Sequence, residues 1–340
     1  MNNIDNFINI NNYTPIITVI IPVFNGEKTI KETINSILQQ TFTQFELIVI
    51  NADSTDSTLN IIYQIKDSRI KVFSYPKANV AVNRNRGFHH SYGEFITFID
   101  ADDIWTSNKL EAQYKALVEY PEAAVAYSWT NCIDETGKFL RKCSYVQWTG
   151  DVYHKLLLDD FIGSGSNVMI RRNAFIAVGG FNESLSNAQD TDLWLRLAAS
   201  YHFVSIPESQ ILYRVSAQSM SSDILGLEKS NLQVIAQAFN HKKAETLQHL
   251  KKYSIANLYK YLSYKVLDVP PGQQKTLQAV RVIATAIKSD PSLALKPIAF
   301  KAFLKLILMT LLPPKWARKL FAKFPRISNT STFLGYEKNS

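Results

Sequence analysis

The first hundred residues alternate between short apolar runs and segments with helical periodicity. Short runs rich in β-branched residues indicate buried strands, whereas apolar residues that recur every third or fourth position indicate helices. Because strands and helices that alternate with short connections form parallel sheets, the pattern predicts a doubly wound α/β fold. The predicted strands are 16–23, 45–50, 70–73 and 94–99, and the predicted helices lie near 30–38, 59–63 and 80–91.

The alternation loosens after residue 105, and beyond about residue 220 the chain becomes mostly helical. We therefore divide it into an α/β domain, 15–215, whose halves are 15–105 and 106–215, and a C-terminal helical region, 216–340. In the second half the pattern predicts helices 109–119 and 190–199, strands 125–129, 168–170 and 211–215, a hairpin turn at 134–137 and a Gly/Ser loop at 163–167.

Polar residues follow three of the predicted strands, namely Asn25, the segment 51–53, and the acids Asp100, Asp102 and Asp103. Ligands of doubly wound sheets bind at these carboxyl ends. Strand alternation would place Asp100 and Asp102 on one side, so that both face one ligand. Paired carboxylates there suit a hard divalent cation held against phosphates. The alternative is a junction of strand and loop with solvated acids.

The loop after the first strand lacks both glycine-rich phosphate-binding patterns. Neither a Gly-x-Gly-x-x-Gly fingerprint nor a Walker loop follows residue 23. We therefore do not expect a dehydrogenase or a P-loop enzyme. A bound nucleotide would need a cation for its phosphates, which again points to the acids at 100–103.

Two further residues are candidates for the same cleft. Arg84 lies in a predicted helix just before the acidic strand, where it could contact a nucleotide or its phosphates. A solvated basic helix end is the alternative. Asp190 begins the predicted helix 190–199, and a carboxylate there can act as a general base on a hydroxyl group. Acids at a helix start are also common as caps, which is the alternative for Asp192.

Taken together, six motifs resemble those of glycosyltransferase family 2. They span about 15–215 in the family's order. The resemblance implies a GT-A fold with a mixed sheet, in which 15–105 binds a nucleotide sugar and 106–215 binds the acceptor. It also implies a requirement for Mn²⁺ or Mg²⁺ and inversion at the anomeric carbon. The motifs are 22–25, 54–56, 84–85, 100–103, 179–181 and 189–196.

The resemblance assigns roles to individual residues on the donor side. Asp102 is similar in position to the metal ligand of the family's Asp-x-Asp motif, and Asp100 to the residue that contacts the nucleoside. Val23 and Phe24 correspond to the loop that contacts base and ribose. Arg84 resembles a nucleotide-binding arginine. A UDP-sugar is the donor that this pattern favours.

On the acceptor side, Asp190 resembles the catalytic base of the family's Glu-Asp pair, but two positions depart from the pattern. Gln189 replaces the glutamate of that pair, which lowers the local negative charge. Ala52 replaces the aspartate that typically recognises the base. Either Asp53 compensates, base recognition is relaxed, or the nucleotide differs.

The C-terminal region is strongly basic. The formal net charge of +8 divides into −5 for residues 1–220 and +13 for residues 221–340. In 296–324, lysines and arginines alternate with aliphatic and aromatic residues, as in helices that lie in an anionic membrane interface. The alternative is a helical cap packed on the α/β domain. The chain carries no recognisable nucleic-acid-binding module, so nucleic acid is not an expected partner.

The expected location is the cytoplasm, with peripheral contact at the inner face of the membrane. The N-terminal residues resemble no signal peptide, and the apolar run at 298–312 is too short to span a bilayer and contains lysines. Cys132 and Cys143 form neither a disulfide framework nor a metal cluster, which fits a reducing compartment. A single disulfide remains an alternative.

We therefore expect a metal-dependent, inverting transfer of a hexose-type sugar to a hydroxyl of a glycan or lipid-linked acceptor, in cell-surface polysaccharide synthesis. One alternative is a catalytically impaired relative that binds sugar nucleotides or glycans, which Ala52 and Gln189 would fit. The other is a sugar nucleotidyltransferase, which would typically need a glycine-rich phosphate loop.

Overall fold

The computed structural model describes residues 14–216, 223–269, 271–272, 274–324, 329–330 and 333. The N-terminal residues considered for a signal peptide, and most of the chain after residue 324, lie outside this description. Nine strands are present in the described residues: β1 (Ile17–Val23), β2 (Phe45–Asn51), β3 (Ile70–Ser74), β4 (Phe95–Phe98), β5 (Ile104–Trp105), β6 (Ala123–Ile133), β7 (Phe139–Lys142), β8 (Met169–Arg171) and β9 (His202–Arg214).

Helices cover the sheet and then continue alone to the C-terminal end of the described chain. Two 3₁₀ segments, Lys242–Leu250 and Pro291–Leu295, separate helices in the second part. The α-helices are α1 (Ile30–Leu38), α2 (Thr58–Gln64), α3 (Val80–His89), α4 (Lys109–Glu119), α5 (Tyr153–Leu158), α6 (Arg172–Ala177), α7 (Gln189–Ser200), α8 (Ile224–Phe239), α9 (Lys251–Leu267), α10 (Thr276–Ser289), α11 (Pro297–Leu311) and α12 (Pro314–Lys323).

All strands join one mixed sheet, in the order β3-β2-β1-β4-β8-β6-β9-β5, with β7 paired to β6. The first four strands pair in parallel, and β8 then runs antiparallel to β4 and β6. The predicted mixed, doubly wound sheet is confirmed. Its first half places the carboxyl ends of β1, β2 and β4 at one edge, where the candidate site residues follow.

The sheet separates two hydrophobic cores because its central strands are buried on both faces. Along β1, Val19 and Ile21 face the core that contains α1, whereas Ile20 faces the core that contains α7. All seven residues of β1 and of β2 are buried. Such strands appear in the sequence as continuous apolar runs, and this is why they could be predicted.

Three sequence expectations need correction. The strand predicted at 94–99 ends at Phe98, so Asp100 and Asp102 lie in a turn and strand alternation does not determine where they point. The strand predicted at 211–215 is only the end of β9, which begins at His202. The first part of β9 contains polar residues, so a search for apolar runs did not detect it. Cys132 and Cys143 form a disulfide, so the single-disulfide alternative is the arrangement found here.

The C-terminal helices form a third core of their own. α9 and α10 contribute Leu262, Val282 and Ile283, and α11 contributes Ala302 and Leu306. One face of α11 thus packs on neighbouring C-terminal helices, whereas the helical-cap alternative had placed it on the α/β domain. Among the described residues, no helix is both long and apolar enough to cross a membrane.

Candidate active site

The acidic turn after β4 is held by buried polar contacts. The Asp100 N–H donates to Ser166 Oγ at 2.9 Å, and Ser166 Oγ donates in turn to Asp103 Oδ2 at 2.5 Å. Asp103 is fully buried, and burial raises the pKa of its carboxyl well above the ordinary value. Asp103 therefore belongs to the framework of the turn, whereas Asp100 and Asp102 remain available to a ligand.

A buried arginine, Arg84, connects this turn to the second half of the domain. Its Nη2 donates to Asp100 Oδ1 at 2.7 Å, and its Nη1 forms a short ion pair with Asp190 Oδ1. The Arg84 side chain is 1% exposed and lies in α3, one helix before the acidic turn. The sequence placed Arg84, Asp100 and Asp190 in one cleft, and the structure brings all three together.

The close approach of Arg84 depends on Gly165. A Cβ atom at Gly165 would lie 2.4 Å from Arg84 Nη2 and 2.9 Å from Asp190 Oδ2. Because both atoms belong to a tightly packed ion pair, no larger residue fits there without moving it. The Gly/Ser loop was recognised from the sequence, but its contact with the arginine was not.

Asp190 is the second residue of α7, and 24% of its side-chain surface is exposed. Burial raises the pKa of its carboxyl to about 6, against the lowering influence of Arg84, and the charges of Asp100 and Asp160 add to the rise. A partly exposed carboxylate with this pKa is suited to accept a proton near neutral pH. Beside it, Gln189 is buried, and its Oε1 has no hydrogen-bond partner among the described residues.

The loops after β1 and β2 are joined by hydrogen bonds between side chains and backbone. The Thr55 N–H donates to Asn25 Oδ1 at 2.8 Å, and the Asn25 N–H donates to Ser54 Oγ at 3.0 Å. Both Asn25 and Asp53 adopt positive φ angles, 51° and 63°. The two loops are therefore tied together into one wall beside the acidic turn.

The predicted base-binding residues lie in this wall with different exposure. Phe24 is 42% exposed, and Lys77 Nζ lies 4.0 Å from the centre of its ring. Val23 is buried, and its carbonyl accepts a hydrogen bond from the Ala52 N–H at 2.8 Å. Asp53 is exposed, whereas Ala52 is buried. Of these, Phe24 and Asp53 present side chains at the surface.

Arg214, at the end of β9, is a residue of this site that the sequence did not reveal. Its N–H donates to Asp103 Oδ1 at 2.9 Å, and its Nε donates to the carbonyl of Asp102 at 2.8 Å. The guanidinium also donates to the carboxylate of Glu32 at 2.6 Å and to the carbonyls of residues 134 and 135. Its only signal in the sequence was a lone arginine within the predicted apolar strand 211–215.

The side chains around Asp102 are compatible with the binding of a divalent cation. Burial raises the pKa of the Asp102 carboxyl to about 6, and repulsion by the charge of Asp100 adds to the rise. A cation would relieve that repulsion, and Mg²⁺ commonly uses one or two carboxylates together with substrate phosphates. Among the described residues, no group of three or more His, Cys, Asp or Glu side chains is arranged to hold a metal ion by itself, so the phosphates would have to complete the shell.

Comparison with known proteins identifies the family. A family profile described as "Glycosyltransferase like family 2" matches residues 18–266. The chain belongs to glycosyltransferase family 2. The predicted family membership is therefore confirmed, and the protein is an enzyme of the glycosyltransferase class.

Two curated family 2 relatives resemble the chain across most of their length. The Escherichia coli UDP-Glc:alpha-D-GlcNAc-diphosphoundecaprenol beta-1,3-glucosyltransferase WfgD is 32% identical over 213 residues, which is 61% of this chain and 80% of WfgD. The putative teichuronic acid biosynthesis glycosyltransferase TuaG of Bacillus subtilis is 29% identical over 216 residues, or 62% of this chain and 84% of TuaG. WfgD is named for a diphosphoundecaprenol-linked acceptor and TuaG for teichuronic acid biosynthesis.

A solved structure confirms the GT-A fold. The mannosyltransferase PcManGT from Pyrobaculum calidifontis, in complex with GDP-Man and Mn²⁺, superposes with a TM-score of 0.57. The match covers 96% of this chain and 89% of PcManGT at 17% identity. At this sequence identity, the structural similarity supports the fold and no other property.

Replacing Arg214 by methionine should lower the free energy of unfolding by about 2–4 kcal/mol, because the carbonyls of residues 102, 134 and 135 and the Glu32 carboxylate lose their guanidinium donor. Lys115→Met removes a cation that is 69% exposed and serves as the control, with an expected loss below about 1 kcal/mol. Urea unfolding followed by circular dichroism measures both. Equal losses in the two variants would contradict the role given to Arg214.

Proposed function

We propose that this glycosyltransferase moves a hexose-type sugar from a nucleotide donor to a hydroxyl of a glycan or lipid-linked acceptor, with a divalent cation and with inversion. The observation that carries the proposal is the pairing of Arg84 with both Asp100 and Asp190. It holds the donor-side acid and the candidate base at one cleft. We propose that this reaction is a step of cell-surface polysaccharide synthesis.

In the proposed reaction Asp190 accepts the proton of the acceptor hydroxyl. The hydroxyl oxygen then bonds to the anomeric carbon while the bond from that carbon to the diphosphate breaks. Attack from the side opposite the leaving group gives inversion in one step. Arg84 keeps the Asp190 carboxylate in place and favours its charged form.

Asp102, with Asp100 beside it, would hold Mn²⁺ or Mg²⁺ against the donor phosphates. The cation would supply neutralisation of the charge that develops on the departing diphosphate. Phe24 and Asp53 would contact the base and ribose from the wall formed by the first two loops, together with the Val23 backbone. Arg84, being buried, would act on the nucleotide through Asp100.

A UDP-sugar is the favoured donor. The relative WfgD is named for UDP-Glc, and it shares the family and a third of its matched residues with this chain. Ala52 supplies no carboxylate for the base, so exposed Asp53 is the side chain placed to take over that contact.

We further propose that the protein acts at the cytoplasmic face of the membrane as a peripheral protein. Phe300, Phe303, Ile307 and Leu311 recur along α11, and they are between 39% and 76% exposed. This exposed α11 stripe lies opposite the face that packs in the third core. α11 and α12 contain lysines and arginines but no acidic residue, which matches an anionic surface.

Asp190→Asn should reduce metal-dependent release of free sugar from a panel of UDP-sugars by about a hundredfold or more, because the base is lost. Binding of UDP in the presence of Mn²⁺ should change little. In the unmodified protein the rate should fall as pH drops through about 6, where the Asp190 carboxylate takes up a proton.

The matched control is Asp192→Asn, two positions along the same helix. Asp192 pairs with Arg196 at 2.6 Å and not with Arg84, so turnover should persist. Undiminished turnover in Asp190→Asn would overturn the assigned base. If the unmodified protein releases no sugar from any donor yet binds UDP with Mn²⁺, the result would instead support the alternative of a catalytically impaired relative.

The double substitution Phe300→Ser and Ile307→Ser should abolish most flotation of the protein with phosphatidylglycerol-containing vesicles, since it interrupts the exposed α11 stripe. Ile176→Ser, at a 55% exposed position on α6, is the control and should float like the unmodified protein. Equal flotation of all three proteins, or none by the unmodified protein, would contradict peripheral binding.

A further inference from the structure

Three exposed side chains follow the first three strands of the sheet at one edge. β2 pairs in parallel with both β1 and β3, so the chain leaves all three strands on the same side. The Tyr75 N–H donates to the carbonyl of Asn51 at 2.9 Å, which keeps the loop after β3 beside the loop after β2. We call the three side chains the strand-end cluster. They are Phe24, Asp53 and Lys77.

The ammonium group of Lys77 is held in position but is not neutralised. Its Nζ lies 4.0 Å from the centre of the Phe24 ring, which is a favourable place for a cation. Lys77 is exposed, and it forms no ion pair with any of the residues that the structure describes. Arg84 and Arg214, by contrast, are buried and already paired with carboxylates. Lys77 can therefore donate hydrogen bonds to a ligand.

Asp53 adds the opposite hydrogen-bonding character to the strand-end cluster. An ionised carboxylate only accepts hydrogen bonds, whereas an ammonium group only donates them. Asp53 is exposed, and its backbone has a φ of 63°. The neighbouring Ala52 is buried and has no polar side chain. The cluster thus presents a donor from the loop after β3 and an acceptor from the loop after β2.

The strand-end cluster lies on the side of the cleft away from the acidic turn. In the sheet, β2 and β1 stand between β3 and β4, and the acidic turn follows β4. Because neighbouring strands are about 4.8 Å apart, the ends of β3 and β4 are roughly 14 Å apart. A donor whose diphosphate is held at Asp102 would therefore extend its base, and not its phosphates, toward β2 and β3.

Nucleotide bases differ in what they offer to such a pair of side chains. Uracil and guanine present a carbonyl oxygen next to a ring N–H, which is one acceptor beside one donor. Cytosine and adenine present an amino group next to a bare ring nitrogen, which is the reverse order. A donor and an acceptor at fixed places complement only one of these two patterns. Lys77 and Asp53 complement the keto bases.

We propose that Lys77 is a specificity-determining residue of the donor site, which selects a nucleoside diphosphate with a keto base. Lys77 Nζ donates to the carbonyl oxygen of the base, and the Asp53 carboxylate accepts from the adjacent ring N–H. The inference rests on the proposed function, since the cation site at Asp102 fixes where the diphosphate lies. It gives this chain a means of reading the base although Ala52 offers no carboxylate.

Isothermal titration of UDP, CDP, GDP and ADP into the full-length protein with Mn²⁺ tests the selection. UDP and CDP have the same ribose and diphosphate but opposite hydrogen-bonding edges, and so do GDP and ADP. The nucleotide that binds most tightly should be UDP or GDP, by about tenfold or more over its amino counterpart, CDP or ADP. This comparison uses the unmodified protein and does not depend on whether a variant folds.

Lys77→Met should weaken binding of the preferred keto nucleotide by about fivefold or more and leave its amino counterpart unchanged, because methionine keeps the contact with Phe24 but donates no hydrogen bond. Lys66→Met is the matched control. Lys66 is also exposed, but it precedes β3, and its Nζ donates to the carbonyl of Tyr63. This control should bind all four nucleotides like the unmodified protein.

Equal affinity of the unmodified protein for keto and amino nucleotides would overturn the proposal. So would an equal loss for all four nucleotides in Lys77→Met, since that result would mean that the lysine supplies only charge. Either result, with binding that still depends on Mn²⁺, leaves the proposed function intact. Binding that does not respond to Mn²⁺, or no binding of any of the four, would contradict the proposed function and this inference with it.

Discussion

Like charges that lie close together in a partly buried turn must be neutralised, and the acidic turn after β4 holds three carboxylates within four residues. Arg84 lies on one side, where its guanidinium pairs with Asp100. Arg214 lies on the other, where its backbone N–H donates to Asp103 and its guanidinium donates to the carbonyl of Asp102. Arg84 thus neutralises one carboxylate of the turn, and Arg214 holds the turn through hydrogen bonds. Asp102 is left with its repulsion from Asp100, which is a condition that favours a cation.

The same ion pairs join the two halves of the α/β domain. Arg84 also binds Asp190, a residue of the second half, so the donor-side acid and the candidate base share one guanidinium. Gly165 permits the approach, and Ser166 next to it holds the turn through Asp100 and Asp103. Donor and acceptor sites that are linked in this way can keep a fixed distance, which a single displacement reaction requires.

The sequence predicted most of the parallel half of the sheet because β1 and β2 are buried on both faces. It also grouped Arg84, Asp100 and Asp190, since motif order and strand ends are readable along the chain. It could not reveal Arg214, whose partners in the acidic turn, Asp102 and Asp103, lie more than a hundred positions away in the chain. The sequence also did not predict that Asp100 lies in a turn, because the end of β4 depends on its pairing with β1 and β8 and not on the local pattern alone.

The central claim is that Asp102 holds a cation against the phosphates of a nucleotide donor. Isothermal titration of UDP, GDP and dTDP into the unmodified protein and Asp102→Asn, each with Mn²⁺ and with a chelator, tests it most directly. We expect one nucleotide to bind the unmodified protein about tenfold or more tightly with Mn²⁺, and this gain to vanish in the variant. The same gain in both proteins, or no gain in the unmodified one, would contradict the account.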